Sequence, residues 1–194
     1  MNFDLLLTID ADCQNTIRAV SYYRSLDGGD LVQLIFIRNA LAQTAITSWC
    51  KTFGSTREKS HYKNICLYCE PNLQVEAVNR LTVDEVRSRL SGSACFTPEE
   101  YEKFWEATKN ARDQFFVHND YAESNRPAFP DLEALFAIAC EMRVIIKEIA
   151  TLLINEDNFR GNDSLVTLVE QHGIPAFLAQ LELEAYGLRK IANL

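Results

Sequence analysis

Glycine and proline are scarce in this 194-residue chain, which has only 7 and 5 of them. Their scarcity excludes a collagen-like or linker-rich chain and argues against an all-β sandwich, where turns recur about every ten residues. Basic charge is also scarce, since 19 Lys and Arg stand against 27 Asp and Glu, a net charge of −8. Such a chain does not coat duplex DNA by charge alone, but a small basic site on it is compatible with RNA.

Long uninterrupted apolar runs are also lacking. The strongest run, 31–49, contains Gln33, Arg38, Asn39 and Gln43, which a bilayer would penalise. Residues 1–10 have no basic region and no small-residue cleavage site, so they match neither a secretory signal nor an anchor. We therefore expect a cytoplasmic protein that makes no membrane contact.

The six cysteines could be reduced thiols, disulfides or metal ligands. In a chain of this length without a signal, six cysteines indicate reduced thiols rather than a disulfide framework. Cys66 and Cys69 have metal-ligand spacing, with Cys50 and His61 upstream, so a zinc-stabilised helical scaffold stays open as an alternative. One such pair is weak evidence because free Cys is commonly buried, and the main hypothesis includes no metal and no cofactor.

Helical periodicity runs through most of the chain. The spacing predicts an all-α, up-and-down helical bundle with long loops, forming a single domain over residues 1–194. The predicted helices are 2–26, 30–51, 82–92, 97–118, 131–155, 163–171 and 175–189.

Two of these helices carry specific expectations. Thr97, Pro98 and Glu100 form a capping box with proline at the first helical position, which predicts a sharp helix start. In the second helix, apolar residues recur at spacings of three and four, so we expect its broad apolar face to lie in the core. That face consists of Leu31, Leu34, Ile35, Ile37, Leu41, Ala45 and Trp49.

The segment that carries chemistry is 110–121, where Arg112, Asp113 and His118 fall within seven residues near a helix end. These residue types suit phosphodiester cleavage. Histidine exchanges protons near neutral pH, and arginine holds phosphate oxygens as negative charge builds. In RNA the neighbouring 2′-hydroxyl is a built-in nucleophile, so the reaction needs no metal. A carboxylate beside the pair can orient either group.

Helix geometry constrains how Arg112 and His118 meet. Six helical steps place them about 120° apart around the axis and about 9 Å apart along it. Either the helix relaxes before His118, or both side chains bend into a common pocket, or two copies meet across a dimer axis. A structural alternative also stands, in which Arg112 pairs with Asp113 and His118 is a helix-ending residue favoured by the dipole.

The run Arg-Asp-Gln-Phe-Phe-Val-His-Asn-Asp at 112–120 resembles the arginine–histidine motif of the HEPN superfamily (higher eukaryotes and prokaryotes nucleotide-binding domains). It is most similar to the abortive-infection AbiU-like branch. The upstream segment Ser-Trp-Cys-Lys-Thr-Phe-Gly at 48–54, followed by His-Tyr-Lys at 61–63, is also similar to that branch. The resemblance covers at least residues 48–120.

The resemblance implies a helical homodimer whose two motifs face each other. It also implies a metal-independent endoribonuclease that leaves a 2′,3′-cyclic phosphate, in a toxin–antitoxin, phage-defence or RNA-processing setting. A cognate antitoxin is then a partner to test for. Carried over by position, Arg112 binds the scissile phosphate, His118 acts as acid or base, and Asp113 supports them.

Three further residues are substrate-binding candidates for RNA: Lys109, Asn119 and Asp120. Two positions depart from the branch pattern, because Gln114 replaces a lysine and Phe116 replaces a smaller residue. These departures favour an alternative function, a non-catalytic HEPN-like module that binds a nucleotide or a protein partner.

Two features outside the motif also have RNA-binding chemistry. Aromatic rings stack on bases, which makes Trp49, Phe53 and Tyr62 candidate platforms, although core packing is the commoner role for helical aromatics. The most basic local stretch is a candidate phosphate-facing loop or an ordinary solvated surface. That stretch contains Lys51, Arg57, Lys59 and Lys63.

Overall fold

The computed structural model describes residues 3–26, 32–66, 82–113 and 130–155, and within these ranges it contains helices and no strands. The expected all-α fold is therefore confirmed. None of the helices described is long and apolar enough to cross a membrane. Five helices have both ends within the described residues: α1 (Phe3–Ser25), α2 (Val32–Phe53), α3 (Val83–Ser93), α4 (Pro98–Ala111) and α5 (Leu132–Asn155). Residues 63–66 are also helical.

The chain divides into two compact units, Met1–Met142 and Arg143–Leu194. The predicted helices 163–171 and 175–189 lie outside the described residues, as do residues 114–118 at the end of the predicted fourth helix. The single domain over 1–194 stays a prediction. The candidate site lies within the first unit.

The helices begin where local chemistry predicts. The Thr97 hydroxyl accepts a hydrogen bond from the Glu100 amide at 3.3 Å, and the Glu100 carboxylate accepts one from the Thr97 amide at 2.8 Å. These reciprocal bonds satisfy amides that the first turn leaves unpaired. Thr82 caps α3 through the Glu85 amide, and Asp131 precedes α5 and accepts from its first amides.

The left-handed residue that terminates α3 is Cys95, although α3 contains a glycine, Gly92. The helix continues past Gly92 to Ser93, and Cys95 then adopts a left-handed conformation with φ of 57°. The Phe96 amide donates back to the Ser91 carbonyl at 3.0 Å, and the Cys95 amide donates to the Gly92 carbonyl at 3.0 Å. This is a Schellman-type ending with cysteine where glycine is usual.

The core of the first unit centres on α1 and α2, which make the most extensive helix–helix contact among the described helices. Ile9 and Val20 of α1 and Ile46 and Trp49 of α2 are fully buried. An ion pair between Lys51 and Asp12, with Nζ 3.6 Å from Oδ1, links the two helices at the rim. These contacts hold the C-terminal end of α2 in place.

The expectation for the apolar face of α2 is only half right. Ala45 and Trp49 are buried, but Ile35 is 50 % exposed and Ile37 is 44 % exposed, and the adjoining Phe36 is 75 % exposed. Periodicity identifies an apolar face but not the length over which a partner covers it. The predicted seam of α4 is buried at Tyr101, Phe104, Thr108 and Ala111, whereas Phe115 lies outside the described residues.

Candidate functional site

The C-terminal turn of α2 has all four of its final carbonyl groups occupied. Helix ends normally leave these acceptors without intrahelical partners. Here the following loop, residues 54–62, supplies three of the donors and α4 supplies the fourth. The donor–acceptor pairs are Gly54 N with Cys50 O at 2.9 Å, Ser60 Oγ with Lys51 O at 3.2 Å, Tyr62 N with Thr52 O at 3.1 Å and Trp105 Nε1 with Phe53 O at 2.6 Å.

Gly54 makes this ending possible. A Cβ atom at position 54 would lie 2.5 Å from the Cys50 carbonyl oxygen and 3.1 Å from the Cys50 Cα. Both contacts are with backbone, which cannot move aside as a flexible side chain can. The glycine of the Ser-Trp-Cys-Lys-Thr-Phe-Gly segment is therefore required by close packing of the chain on itself.

His61 closes the loop as a buried, neutral residue. It is 2 % exposed, and its ring stacks on Tyr62 with centroids 4.8 Å apart. Nδ1 accepts a hydrogen bond from the Lys63 amide at 3.2 Å. Burial, with a smaller contribution from the Lys63 charge, lowers the pKa of His61 to about 4. The imidazole is therefore uncharged at neutral pH. Its role in the loop is structural, since it fills a buried position and accepts a main-chain hydrogen bond.

A pocket of about 210 Å³ opens between this loop and α4. Tyr101, Trp105 and Lys109 follow one another at intervals of four on α4, so they form a single stripe along the pocket wall. The opposite wall is the end of α2 and its loop, and α3 adds Arg87. The pocket thus gathers three chain segments that are distant in sequence: 53–63, Arg87 of α3 and 101–109 of α4.

The pocket is basic on an otherwise acidic chain. Its lining contains three cations, Lys63, Arg87 and Lys109, and one carboxylate, Glu102. Arg87 forms an ion pair with Glu102, and the Lys109 ammonium lies 4.0 Å from the centroid of the Trp105 ring. A cation over an aromatic face keeps its full charge while its position is fixed.

Two tyrosine side chains add hydroxyl groups to the lining. Tyr62 and Tyr101 are 4 % and 3 % exposed. Burial raises the pKa of Tyr62 to about 12 and the pKa of Tyr101 further, so both phenols stay protonated and can donate hydrogen bonds. Arg87 lies 5.8 Å from the centroid of the Tyr101 ring. The walls therefore combine aromatic surface, hydroxyl donors and positive charge.

Arg112 stands at the end of α4, directly beyond the pocket. Seven helical steps from Trp105 return to within about 20° of the same face, and Lys109 lies one turn before it. Its Nε donates to Asp113 Oδ1 at 2.7 Å, and the side chains are 22 % and 45 % exposed. That hydrogen bond raises the pKa of Arg112, with a smaller contribution from Glu58 of the loop. Residues 112 and 113 form a wider π turn, a feature common at functional sites.

The structure brings together part of the predicted site. Arg112 and Asp113 are in contact, and Lys109 lines the pocket one turn away. His118, Asn119 and Asp120 lie outside the described residues, together with Gln114 and Phe116. The three possible routes by which Arg112 meets His118 therefore stay open, although the π turn starts a departure from regular helix at Arg112.

The structure describes five of the six cysteines. Cys13, Cys50, Cys66, Cys95 and Cys140 are free thiols. Burial raises the pKa of Cys50 to about 12, against the opposing effect of Arg112. Cys69 lies outside the described residues, and within those residues no cluster of three or more metal-ligating side chains occurs. The zinc-scaffold alternative therefore has no supporting geometry in the described part of the chain.

Of the two roles considered for the aromatic residues Trp49 and Phe53, the structure shows core packing, which is the commoner role. Trp49 is fully buried and packs on Phe53 and Phe104, with ring centroids 5.0 and 5.6 Å away. Tyr62 reaches a ligand-accessible surface only at the pocket wall. Sequence reasoning missed Arg87, Tyr101 and Trp105. The spacing of 101, 105 and 109 was a usable signal, whereas no pattern links Arg87 to α4.

Comparisons of the chain with protein-family models, with curated proteins and with solved structures found no match. Function must therefore be argued from the side chains themselves. The described side chains offer a fixed guanidinium at a helix end and a basic, aromatic-walled pocket beside it.

Proposed function

We propose that this protein is a metal-independent endoribonuclease of the HEPN type, with Arg112 as the residue that binds the scissile phosphate. The observation that carries the proposal is the position of Arg112. It is partly exposed, anchored by Asp113 and aligned on one helix face with Lys109 and Trp105. A phosphate group held by Arg112 would have a second cation one turn away.

The anchoring of Arg112 suits phosphate binding. Asp113 engages Nε, and in the described residues neither terminal nitrogen of the guanidinium has an ion pair. Those two nitrogens form the fork that binds two phosphate oxygens. The carboxylate fixes the fork in advance, so less side-chain freedom is lost when RNA binds.

The chemistry assigned to His118 follows from the sequence. As a base, His118 takes the proton of the 2′-hydroxyl. The 2′-oxygen then bonds to phosphorus while the bond to the 5′-oxygen breaks. The departing 5′-oxygen takes up a proton from water, His118 returns its own proton to the solvent, and the upstream product ends in a 2′,3′-cyclic phosphate. Arg112 stabilises the added negative charge on the phosphoryl oxygens.

The test is RNA cleavage in EDTA by the full chain, with analysis of the product ends. We expect cyclic phosphate ends from the unaltered protein and loss of at least a hundredfold in rate for both Arg112→Ala and His118→Ala. Lys103→Ala is a matched control because Lys103 is exposed on the opposite face of α4. Equal cleavage by all four proteins would refute the assignment.

A second candidate function is a non-catalytic HEPN-like module that binds a nucleotide. It is favoured by the pocket itself, where burial lowers the pKa of His61 to about 4 and raises the pKa of Tyr62 to about 12, so that neither side chain suits proton transfer at neutral pH. RNA binding without cleavage in the same EDTA assay would select this function.

The assembly and setting belong to the same proposal. A homodimer that brings two copies of the 112–118 motif together would complete the site without a regular helix having to align Arg112 with His118. Sedimentation of the purified chain tests the dimer. Growth arrest on expression, relieved by a co-expressed neighbouring protein, tests the toxin–antitoxin and phage-defence role in the cytoplasm.

A further inference from the structure

Apart from Lys109, the residues that line the pocket between α4 and the loop 54–62 have no role in the phosphate chemistry assigned to Arg112 and His118. The pocket's three cations come from three different segments, with Lys63 after the loop, Arg87 on α3 and Lys109 on α4. Charges of one sign repel one another, so gathering them around one cavity is unfavourable unless an anion is bound there. The single carboxylate, Glu102, pairs with Arg87 and leaves two cations uncompensated within the lining.

We propose that this pocket binds the nucleotide adjacent to the scissile phosphate of a single-stranded RNA, with its phosphate on Lys63 and Lys109. The inference rests on the proposed function in that it assigns a neighbouring subsite to the same substrate. The shared chemistry is a nucleotide phosphate, whether it belongs to RNA or to a free mononucleotide.

The size of the cavity favours one unit of a polymer. Pockets that enclose an entire small-molecule ligand usually measure about 300–1,000 Å³. The cavity here, about 210 Å³, lies below that range. It has room for part of a larger ligand, whose remainder lies outside on the protein surface.

The lining favours a nucleotide over a simple anion. Tyr62 and Tyr101 line the cavity with protonated phenols, which are hydrogen-bond donors, and the partly exposed Trp105 ring gives apolar surface for a ribose or base. Trp105 cannot swing away, because its indole N–H is bonded to the Phe53 carbonyl. The cavity is therefore shaped before the ligand arrives, which limits the entropy lost on binding.

The position of the cavity allows one RNA strand to contact both Lys109 and Arg112. Lys109 precedes Arg112 by about 4.5 Å along the helix axis. One step along a stacked strand is about 3.4 Å, so one chain can pass from the first cation to the second without a gap.

The experiment measures binding of a 2′-O-methyl hexauridylate, which lacks the nucleophilic hydroxyl, to the full chain in EDTA. We expect Lys63→Ala/Lys109→Ala to raise Kd at least tenfold and to reduce the slope of log Kd against log salt by about 0.7 per lysine removed. Lys103→Ala should leave both quantities unchanged. Lys63→Arg/Lys109→Arg should retain binding, since it keeps the charges.

Equal Kd values for the double alanine variant and Lys103→Ala would overturn the subsite. Uridine monophosphate is the second probe. Binding of the monophosphate in place of the oligomer, lost in the double alanine variant, would confirm the nucleotide site and overturn its link to RNA. Cleavage of unmodified RNA is scored separately, so a failed nuclease and a failed subsite give different results.

Discussion

The indole nitrogen of Trp105 lies 2.6 Å from the main-chain oxygen of Phe53. This bond joins α4 to the last carbonyl of α2, across 52 residues of sequence. It also fixes the ring against which Lys109 rests, at 4.0 Å from the centroid. One hydrogen bond thus satisfies the last carbonyl of α2, fixes the Trp105 ring in the pocket wall and so fixes the surface on which Lys109 rests.

Replacing Trp105 by phenylalanine removes this donor while keeping an aromatic ring. We expect the free energy of unfolding to fall by about 1–2 kcal/mol, from the lost hydrogen bond and some lost apolar contact. Urea denaturation measures it. The exposed substitution Lys103→Ala should change stability by less than about 0.5 kcal/mol. A Trp105→Phe protein as stable as that control would mean the bond does not hold α2 to α4.

Gly54 and Gly92 form a matched pair for alanine substitution. Gly54→Ala places a methyl group 2.5 Å from the Cys50 carbonyl, and we expect a loss of about 2–3 kcal/mol. Gly92→Ala meets nothing within 4 Å and lies in the last turn of α3, so it should stabilise by up to about 1 kcal/mol. Thermal unfolding of both variants shows whether the signs are opposite; the same sign for both would be inconsistent with the close approach at position 54.

Cys95 is exposed and holds a left-handed conformation that costs L side chains about 1–2 kcal/mol. Cys95→Gly removes that cost but adds about 0.5–1 kcal/mol of unfolded-chain entropy. We expect a net stabilisation of about 0.5–1 kcal/mol. Cys95→Ala keeps the strain and should leave stability nearly unchanged, so equal shifts for the two variants would argue against the conformational explanation.

His61 predicts a specific acid dependence. Its pKa is about 4 in the folded chain and 6.5 as a reference, so the unfolded state binds the proton first as pH falls. The stabilisation is present above pH 6.5 and is lost as pH falls to 4. The loss amounts to about 3 kcal/mol.

His61→Gln removes this titration while keeping a polar side chain, and denaturation at several pH values gives the comparison. The pKa of Asp12 is raised by burial and acts in the opposite direction, but it contributes to both proteins and cancels in the difference. Parallel pH profiles for the two proteins would show that His61 is not neutral in the fold.

Asp113 serves Arg112 as an anchor. Asp113→Asn weakens the charged contact at Nε, and since Asp113 is 45 % exposed, the cost in stability should stay below about 1 kcal/mol. We expect cleavage of RNA to slow about tenfold, mainly through the catalytic rate. Glu106→Gln makes the same charge change at an exposed position on α4 and should cleave normally. An Asp113→Asn rate equal to the control would remove Asp113 from the site.

The parts of the fold that were predicted correctly are those settled by neighbouring residues. Thr97, Pro98 and Glu100 define the start of α4 because capping bonds span only three residues. The burial of Tyr101, Phe104 and Thr108 follows from a helical period that every turn repeats. The exposure of Ile35 and Ile37 was not predictable in this way, because it depends on where a second helix ends.

For the candidate site too, the residues set by a local pattern were predicted, and the residues placed by distant helices were not. Arg112, Asp113 and Lys109 were identified from a short local pattern, and they lie at adjacent turns of one helix. Arg87 and Trp105 were not identified, since their roles depend on α3 and on the end of α2. For Trp49 the sequence left base stacking open beside the commoner role of core packing, because it shows an aromatic residue but not what packs against it; the structure shows core packing.

The sequence by itself determined the helical class, the capped starts of α3 and α4 and the local pairing of Arg112 with Asp113, because short-range bonds and helical periodicity act within a few residues. Only the tertiary structure decided that three separate segments enclose a cationic, aromatic-walled pocket. Packing of the α2 end against α4 places those groups together, and no short-range rule specifies which distant helix will supply the partner for a free carbonyl.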